Sequence, residues 1–168
     1  MMYQSMETTR QISSTGLLKA ELTVEQQQVM SFLLPLSNDY PGIENWFTSK
    51  VAPGVLLGSR QILTYERSGR LVAVGIAKND AAEKKICTVR VDHSYFGRGL
   101  GVRVFTDLMN WLDEEQPVLT VSNVKLPSFQ RIFDHFGFVP TSATPNLYRL
   151  GCTEIGFNET GLLRSEHN

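Results

Sequence analysis

Cysteine is scarce in this sequence, which has only Cys87 and Cys152 among its 168 residues. Two cysteines cannot build a disulfide framework, and without a second cysteine pair or accompanying histidines they do not make a zinc site. The sequence also lacks an excess of either charge, because 16 Lys and Arg residues nearly balance 17 Asp and Glu residues. The sequence therefore has no general basic field that would draw it onto nucleic acid or an anionic membrane. We expect reduced cysteines and no bound metal.

Long apolar runs are absent as well. Residues 1–16 are polar and lack the apolar centre of a signal peptide. No later run reaches the roughly 18 apolar residues of a membrane span. We therefore expect a cytoplasmic protein that does not enter a membrane.

The composition, with 42% hydrophobic and 20% charged residues, is typical of one ordinary globular domain. Residues 1–15 carry few large apolar side chains and are predicted to form a mobile tail. Residues 16–152 are predicted to form one α+β domain, and residues 153–168, which are short and polar, a C-terminal tail. No internal repeat or low-complexity block interrupts the chain.

Hydrophobic periodicity and turn signals place the elements of this domain. Thr23 and Gln26 have the spacing of a capping box that begins a helix, and Pro53 is expected to end or kink the next helix. Ser68 and Gly69 separate the first two strands of an antiparallel meander. The predicted strands cover residues 17–22, 61–66, 70–78, 85–91, 117–121 and 146–150, and the predicted helices cover 24–35, 43–51, 100–113 and 127–136.

A glycine-rich turn joins a strand of β-branched residues to the helix that starts near Leu100. Gly97, Gly99 and Gly101 lie across this junction. The first turn of a helix leaves backbone N–H groups unpaired, and glycines let a phosphate approach them without a Cβ clash. Arg98 can add a charge-assisted contact. The turn therefore predicts an anion site, and the alternative is that the glycines only permit a tight turn.

The spacing of these glycines excludes two common phosphate motifs. A dinucleotide-binding fingerprint needs glycine at the position of Val102, and a P-loop needs a Gly-Lys-Ser/Thr end. Neither pattern is present. The predicted anion site is therefore neither a dinucleotide-binding fingerprint nor a P-loop.

The segment Phe96-Gly97-Arg98-Gly99-Leu100-Gly101 resembles the central signature of the GNAT superfamily of N-acetyltransferases, a strand, a Gln/Arg-x-x-Gly-x-Gly/Ala turn and a helix. The stretch LPSFQRIFDHFGF and the upstream meander resemble that family too, so the resemblance spans residues 17–150. It implies a mixed, mostly antiparallel central sheet flanked by helices, with a splayed strand pair at the cofactor site. It also implies acetyl-coenzyme A as cosubstrate and direct attack by a primary amine in a ternary complex.

The resemblance also implies the residues that hold acetyl-coenzyme A. The backbone of Val89 and Val91 would bind the pantetheine arm, residues 96–102 would bind the diphosphate, and a backbone N–H near Val91 would stabilise the oxyanion. The cofactor-binding residues implied are Val89, Arg90, Val91, Phe96, Gly97, Arg98, Gly99, Leu100, Gly101, Val102 and Phe133.

Three positions depart from the family pattern. Phe96 replaces the usual Gln or Arg, although backbone N–H groups make most diphosphate contacts there. Leu126 stands where many members have an asparagine near the pantetheine. Phe133 occupies the position of a tyrosine that often protonates the departing thiolate, and phenylalanine has no proton to give.

The group that accepts the amine proton stays open at this point. A lysine-like amine with a pKa of about 10.4 is mostly protonated at pH 7, so a base or a water chain must take its proton. Each candidate also has a purely structural interpretation, as a turn residue, a solvated carboxylate or a cap on the core. The candidates near the expected cleft are Glu66, Asp92, His93, Ser122 and Tyr148, and Asn38, Asp39, Tyr40 and Trp46 could line the acceptor side.

Three functions fit these observations. The first is acetyl transfer to an amine. The second, suggested by Phe133, is an acyl-coenzyme A sensor or interaction module without turnover. The third is a toxin-like acetyltransferase acting on aminoacyl-tRNA, against which the lack of basic surplus argues. A homodimer contact through Trp46 or Trp111 is an open alternative to their burial in the core.

Overall fold

Three strands in sequence order form the first sheet of the protein. The structure is a computed structural model that describes residues 21–160. Strands β1 (Arg60–Arg67), β2 (Arg70–Asn79) and β3 (Lys84–Val91) pair antiparallel. Ser68 and Gly69 close the first hairpin, both with positive φ, as the tightest hairpin turns require. The predicted meander is confirmed, with strand ends within one residue of the prediction.

Two helical segments precede this sheet and cover one of its faces. Helix α1 (Val24–Leu33) begins at the predicted capping box, in which the Gln26 N–H donates to Thr23 Oγ1. Helices α2 (Ile43–Trp46) and α3 (Ala52–Leu56) are joined by a π-helical turn. Of the two effects expected of Pro53, an end or a kink, the end is wrong, because the helical segment continues to Leu56. Pro53 lies in the first turn of α3, where its missing N–H costs little.

The second half of the chain forms another three-stranded antiparallel sheet with two helices. Helices α4 (Leu100–Leu112) and α5 (Leu126–Phe136) confirm the predicted helices, and Gly137 ends α5 in the left-handed conformation. Strands β4 (Leu119–Ser122), β5 (Pro140–Pro145) and β6 (Thr153–Phe157) are arranged in the order β4-β6-β5.

The predicted last strand over residues 146–150 is wrong, because that segment is the loop between β5 and β6. Asn146 and Gly151 both adopt positive φ, and the Gly151 N–H donates to Asn146 Oδ1 (2.7 Å). The apolar residues of this loop imitate a strand pattern, yet Leu150 is exposed. The strand comes later, so the predicted tail boundary after Cys152 is also corrected: the folded part continues through Phe157.

The predicted N-terminal tail, residues 17–20 of the predicted first strand and residues 161–168 lie outside the described residues. Glu21 and Leu22, the described end of that predicted strand, are not in a strand. Within residues 21–160, no helix has the length and apolar character needed to cross a membrane.

The two faces of the first sheet carry separate apolar clusters. Helix α4 packs on one face and α5 packs against α4, in a core that includes Phe105, Leu108 and Phe133. Helices α1 to α3 pack on the other face, around Leu33 and Phe47. Trp46 and Trp111 are each partly buried against one of these clusters.

The two sheets meet at a single parallel bridge, between Lys85 of β3 and Val118 just before β4. The expected α+β fold, with mostly antiparallel strands and one splayed pair, is confirmed. The splayed pair is β3 and β4.

Gly75 of β2 allows α4 to lie close to the sheet. A Cβ at this position would lie 2.7 Å from Val104 Cγ1 and 2.9 Å from Leu108 Cδ1. We expect Gly75→Ala to lower the free energy of unfolding by about 1–3 kcal/mol, because the helix must move away or the side chains must leave their rotamers. Urea unfolding measures this change.

Gly42→Ala is the matched control, since a Cβ at Gly42 has nothing within 4 Å. We expect it to change the free energy of unfolding by under about 0.5 kcal/mol. Equal effects of the two substitutions would contradict the close packing of α4 on β2.

Candidate functional site: a cleft between two diverging strands

Strand β3 leaves β4 because of a bulge at Cys87. Before the bulge, the Ile86 N–H donates to the Val118 carbonyl (2.9 Å), and the Val118 N–H donates to the Lys84 carbonyl (3.0 Å). The register of β3 on β2 then shifts, with Ile86 opposite Ala77 and Thr88 opposite Ile76. Such an extra residue bends the strand and increases its twist.

The bulge also decides which backbone groups of β3 face the gap. The N–H of Ile86 points outwards to β4, whereas the N–H of Asp92 points inwards and donates to the Val72 carbonyl (2.7 Å). Ile86 and Asp92 are six residues apart, so in a regular strand their N–H groups would point to the same side. The extra residue at the bulge has therefore reversed the alternation of N–H directions along β3. The backbone groups of Val89 and Val91 therefore face the gap, at the outer edge of β3.

The glycine turn lies at the end of β3 where the gap is open. Asp92 caps a short 3-10 turn by accepting the Ser94 N–H (2.9 Å). Gly97 and Gly99 follow with φ of 71° and 77°, and Gly99 is the N-cap of α4 without any side-chain cap. A Cβ built at either glycine has nothing within 4 Å, so the space above the turn is open.

Helix α4 presents unpaired backbone donors to this space. The Arg103 N–H donates to the Gly99 carbonyl (3.1 Å) and is the first of the helical bonds. The N–H groups of residues 100–102 consequently have no intrahelical acceptor. Together with the helix dipole, they form a site suited to a phosphate.

Gly101 has a different role from the other two glycines. A Cβ there would lie 2.7 Å from Ile132 Cδ1 of α5. The absence of a side chain lets the two helices approach each other below the turn. For Gly101, the close packing of α4 and α5 is sufficient to explain why the residue is glycine.

One cleft of about 770 Å³ connects the turn to the opposite face of the sheet. Its walls come from the free edge of β3, from α4 and α5, from β4 and β6, and from the loop before α2. Phe133 of α5 lies at its base, only 2% exposed and in contact with the rings of Phe129 and Phe157. Residues that line the cleft include Tyr40, Trp46, Arg60, Lys78, Lys85, Thr88, Val89, Arg90, Val91, Phe96, Gly97, Gly101, Phe129, Phe133, Tyr148 and Glu154.

A buried carboxylate lies in this cleft on the face that α1 to α3 cover. Glu154 of β6 is 4% exposed and accepts hydrogen bonds from Tyr40 Oη (3.2 Å) and Thr120 Oγ1 (3.0 Å). Burial raises the pKa of Glu154 above its ordinary value, although both hydrogen bonds oppose the shift. Burial, followed by the charge of Glu154, raises the pKa of Tyr40. A carboxylate with a raised pKa is a candidate proton acceptor.

Glu154 is not identified from the sequence, because the last strand is predicted at residues 146–150, seven residues before β6. In the sequence TEIGF, the alternation puts Ile155 on the core side and Glu154 on the other side of a buried strand. A carboxylate at such a position is the signal that could have identified it.

Asp39 and two cations flank Glu154 at the rim. Asp39 forms ion pairs with Arg149 Nη1 (2.9 Å) and Lys125 Nζ (3.3 Å). The first pair ties the loop before α2 to the β5–β6 loop, and the second ties it to the N-cap residue of α5. Asn38 is exposed, and Trp46 lies beneath Arg60.

The five sequence-derived base candidates lie in different places. His93 is exposed at the cleft wall, with its ring centroid 5.2 Å from that of Phe96. Glu66 is exposed on β1 and is not in the cleft wall, and Asp92 caps the turn that follows β3. Ser122 is buried beside Glu154 and accepts the Lys125 N–H (3.3 Å). Tyr148 lines the cleft and contacts the Tyr40 ring edge to face (5.5 Å), but it lies in a loop and not on the predicted last strand.

The side chains of the two arginines in the predicted cofactor site lie over nearby aromatic rings. Arg90 donates to the Phe32 carbonyl, and its guanidinium lies over the Phe32 ring (4.3 Å). Arg98 lies over Tyr95 (5.6 Å) and is exposed. In the described part of the chain, no cluster of three or more His, Cys, Asp or Glu residues could hold a metal ion.

The buried carboxyl of Glu154 makes the stability depend on pH. Because its pKa is raised above 4.5 in the folded state, its stabilising contribution is complete below about pH 4.5 and is lost as the pH rises through the raised value. We expect the free energy of unfolding of the wild type, relative to Glu154→Gln, to fall as the pH rises from below about 4.5 through the raised pKa of Glu154. Urea unfolding across this range tests it, with the exposed Glu115→Gln as control. A flat or rising difference would be inconsistent with a raised pKa.

No family model matches the chain, and no curated protein matches it in sequence. Solved structures do match. An acetyltransferase of the GNAT family from Desulfovibrio desulfuricans has a TM-score of 0.65 at 12% identity, over 81% of this chain and 92% of that chain. An aminoglycoside 6'-N-acetyltransferase complexed with coenzyme A has a TM-score of 0.60 at 11% identity, over 83% of this chain and 92% of that chain. A streptothricin acetyltransferase from Bacillus anthracis, in complex with acetyl coenzyme A, has a TM-score of 0.52 at 16% identity, over 59% of this chain and 62% of that chain. The protein has the fold of the GNAT acetyltransferases.

Proposed function

We propose that this protein is an N-acetyltransferase that moves an acetyl group from acetyl-coenzyme A to a primary amine in a ternary complex. The observation that carries the proposal is the cleft itself. It passes from the uncapped N-terminus of α4, through the gap between β3 and β4, to the buried carboxylate of Glu154. One site thus combines an anion cradle, a free strand edge and a base.

The residues along this path fit acetyl-coenzyme A. The open turn at Gly97 and Gly99 and the free N–H groups of residues 100–102 suit its diphosphate. The outward backbone groups of Val89 and Val91 suit the amides of the pantetheine arm. Phe129 and Phe133 supply an apolar wall opposite them. The coenzyme A and acetyl coenzyme A complexes of the fold relatives support this assignment.

The chemistry follows from the position of Glu154. The amine nitrogen attacks the thioester carbonyl carbon, the new C–N bond forms, and the C–S bond breaks. The carboxylate of Glu154 takes the amine proton, directly or through one water, and its raised pKa brings it closer to the working pH of a general base. The Val91 N–H stabilises the charge on the carbonyl oxygen. The departing thiolate takes its proton from water, because Phe133 has none to give.

Glu154 takes the role of base in place of the sequence-derived candidates Glu66 and Asp92, which lie outside the cleft wall. We propose that Ser122 and Tyr148 help to position the acceptor, since both lie beside Glu154. Arg90 contributes its backbone, because its side chain turns towards α1. We place the protein in the cytoplasm, where acetyl-coenzyme A is available.

Binding of acetyl-coenzyme A to the glycine turn is directly testable. We expect a cofactor concentration a hundredfold above its Kd to stabilise the protein by about 2.7 kcal/mol. Gly99→Glu should abolish this stabilisation, because a carboxylate then occupies the phosphate position. Thermal unfolding with and without acetyl-coenzyme A measures both effects.

Gly58→Glu controls for backbone strain. Gly58 has the same φ of 77° and equally open space, but it lies after α3 and outside the cleft wall. This variant should lose stability as Gly99→Glu does and still respond to acetyl-coenzyme A. If millimolar cofactor fails to stabilise the wild type, the cofactor site and the enzyme proposal are both wrong.

Replacement of Glu154 by Gln tests the base. We expect kcat/KM to fall by about a hundredfold to ten-thousandfold, with stabilisation by acetyl-coenzyme A retained. In the wild type, kcat/KM should fall as the pH drops through the raised pKa of Glu154, since the protonated carboxyl cannot accept the amine proton. Thiol release with a panel of amines measures the rate, and Glu115→Gln is the control.

An unchanged rate in Glu154→Gln would remove this residue from the mechanism. The sensor alternative, which Phe133 suggests, has a different outcome. In that case acetyl-coenzyme A would stabilise the wild type, while no amine would release the thiol.

A further inference from the structure

We infer that the acceptor amine also carries an anionic group, a carboxylate or a phosphate. This inference rests on the proposed function and names the acceptor class of the same site. It comes from a row of basic side chains across the first sheet, inside the cleft. We call Arg60, Lys78 and Lys85 the basic row.

The basic row is fixed by the strand register. Arg60 of β1 lies opposite Lys78 of β2, and Lys78 lies opposite Lys85 of β3. Directly opposed residues of antiparallel strands project from the same face, so the three side chains are neighbours, and all three line the cleft. Like charges in such positions destabilise a sheet. Their presence therefore calls for a compensating negative charge.

Carboxylates of the protein neutralise the charge of one member of the basic row. Lys78 Nζ pairs with Asp80 and with Glu83, at 3.0 Å each. Neither Arg60 nor Lys85 forms an ion pair with any described residue. Arg60 donates to Cys87 Sγ (3.4 Å) and lies over the Trp46 ring (5.8 Å), contacts that leave its charge unneutralised.

The row lies on the acceptor face and not at the diphosphate site. Lys85 forms the bridge to Val118, at the closed end of the gap. Val91, which leads to the glycine turn, is six residues further along β3, or about 20 Å. Ile86 points into the core against α4, so Lys85 points to the other face, which Trp46 and Tyr40 cover.

Lys85 is also close enough to Glu154 to act on it electrostatically, as one of the groups that oppose the upward pKa shift of that carboxyl. An acceptor can therefore present its amine to Glu154 while a negative group lies against Arg60 and Lys85. The guanidinium of Arg60 suits a carboxylate or phosphate in particular, because its planar fork can bind two oxygens. A polycationic acceptor would instead meet two positive charges that have no ion pair to any described residue.

The test compares amines that differ in one charge. L-methionine is paired with L-methioninamide, and phosphoethanolamine with ethanolamine, while spermidine represents polycations. Thiol release from acetyl-coenzyme A gives kcat/KM for each. We expect the anionic member of at least one pair to exceed its neutral partner by about tenfold or more, the effect of one charge-assisted hydrogen bond. The pair that responds tells carboxylate from phosphate.

Substitution of Lys85 shows whether the basic row causes the preference. Lys85→Gln should raise KM for the anionic amine by about tenfold and change kcat little, which reduces the preference within the pair. Lys84→Gln is the matched control, because Lys84 donates to the Asp113 carbonyl (3.0 Å) outside the cleft wall. Lys85 is preferred to Arg60, whose side chain packs against Gly54.

The outcomes separate this inference from the proposed function. If neutral amines or spermidine react as well as the anionic amines or better, or if Lys85→Gln leaves the preference unchanged, the inference is wrong and the acetyltransferase stands. If no amine releases the thiol while the cofactor binds, the proposed function fails, and the inference fails with it.

Discussion

The divergence of β3 from β4 is the constraint on which the site depends. The two strands share one bridge, at Lys85 and Val118, and the bulge at Cys87 then carries β3 away. A sheet without this bulge would continue the pairing, and the backbone groups of Val89 and Val91 would be satisfied by β4. The same divergence opens a passage between the two faces of the sheet. In the reaction that we propose, a cofactor from one face and an acceptor from the other meet in this passage.

Burial raises the pKa of a carboxyl group in this passage. Glu154 lies on β6, the central strand of the second sheet, and the side chains of Tyr40 and Thr120 hold it by hydrogen bonds. Its charge is costly there, so its pKa is raised, which fits the role of proton acceptor that we propose for it. The basic row on the neighbouring strands has the opposite sign. The same face thus carries the carboxyl of Glu154 and two cations without an ion pair to any described residue, Arg60 and Lys85, from which we infer a preference for amines with an anionic group.

Local sequence patterns predict most of the fold. The elements that depend on pairing between distant residues are not predicted. Helices α4 and α5 and the meander follow from periodicity and from turns at Ser68 and Gly69, which need no tertiary information. The β5–β6 loop imitated a strand, and only pairing with β4 and β5 identifies residues 153–157 as the real one. Glu154 was lost with that strand, so the glycine turn was found and the proposed base was not. The bulge at Cys87 has no local signature in the sequence either.

Backbone amide hydrogen exchange with coenzyme A tests the central claim most directly, because the proposed binding site consists mainly of backbone groups. Coenzyme A should slow exchange at Val89 and Val91 on the free edge of β3, and at residues 100–102 in the first turn of α4. Amides in the β1–β2 hairpin should exchange at the same rate with and without it. Protection confined to other parts of the chain, or none at saturating coenzyme A, would contradict the account.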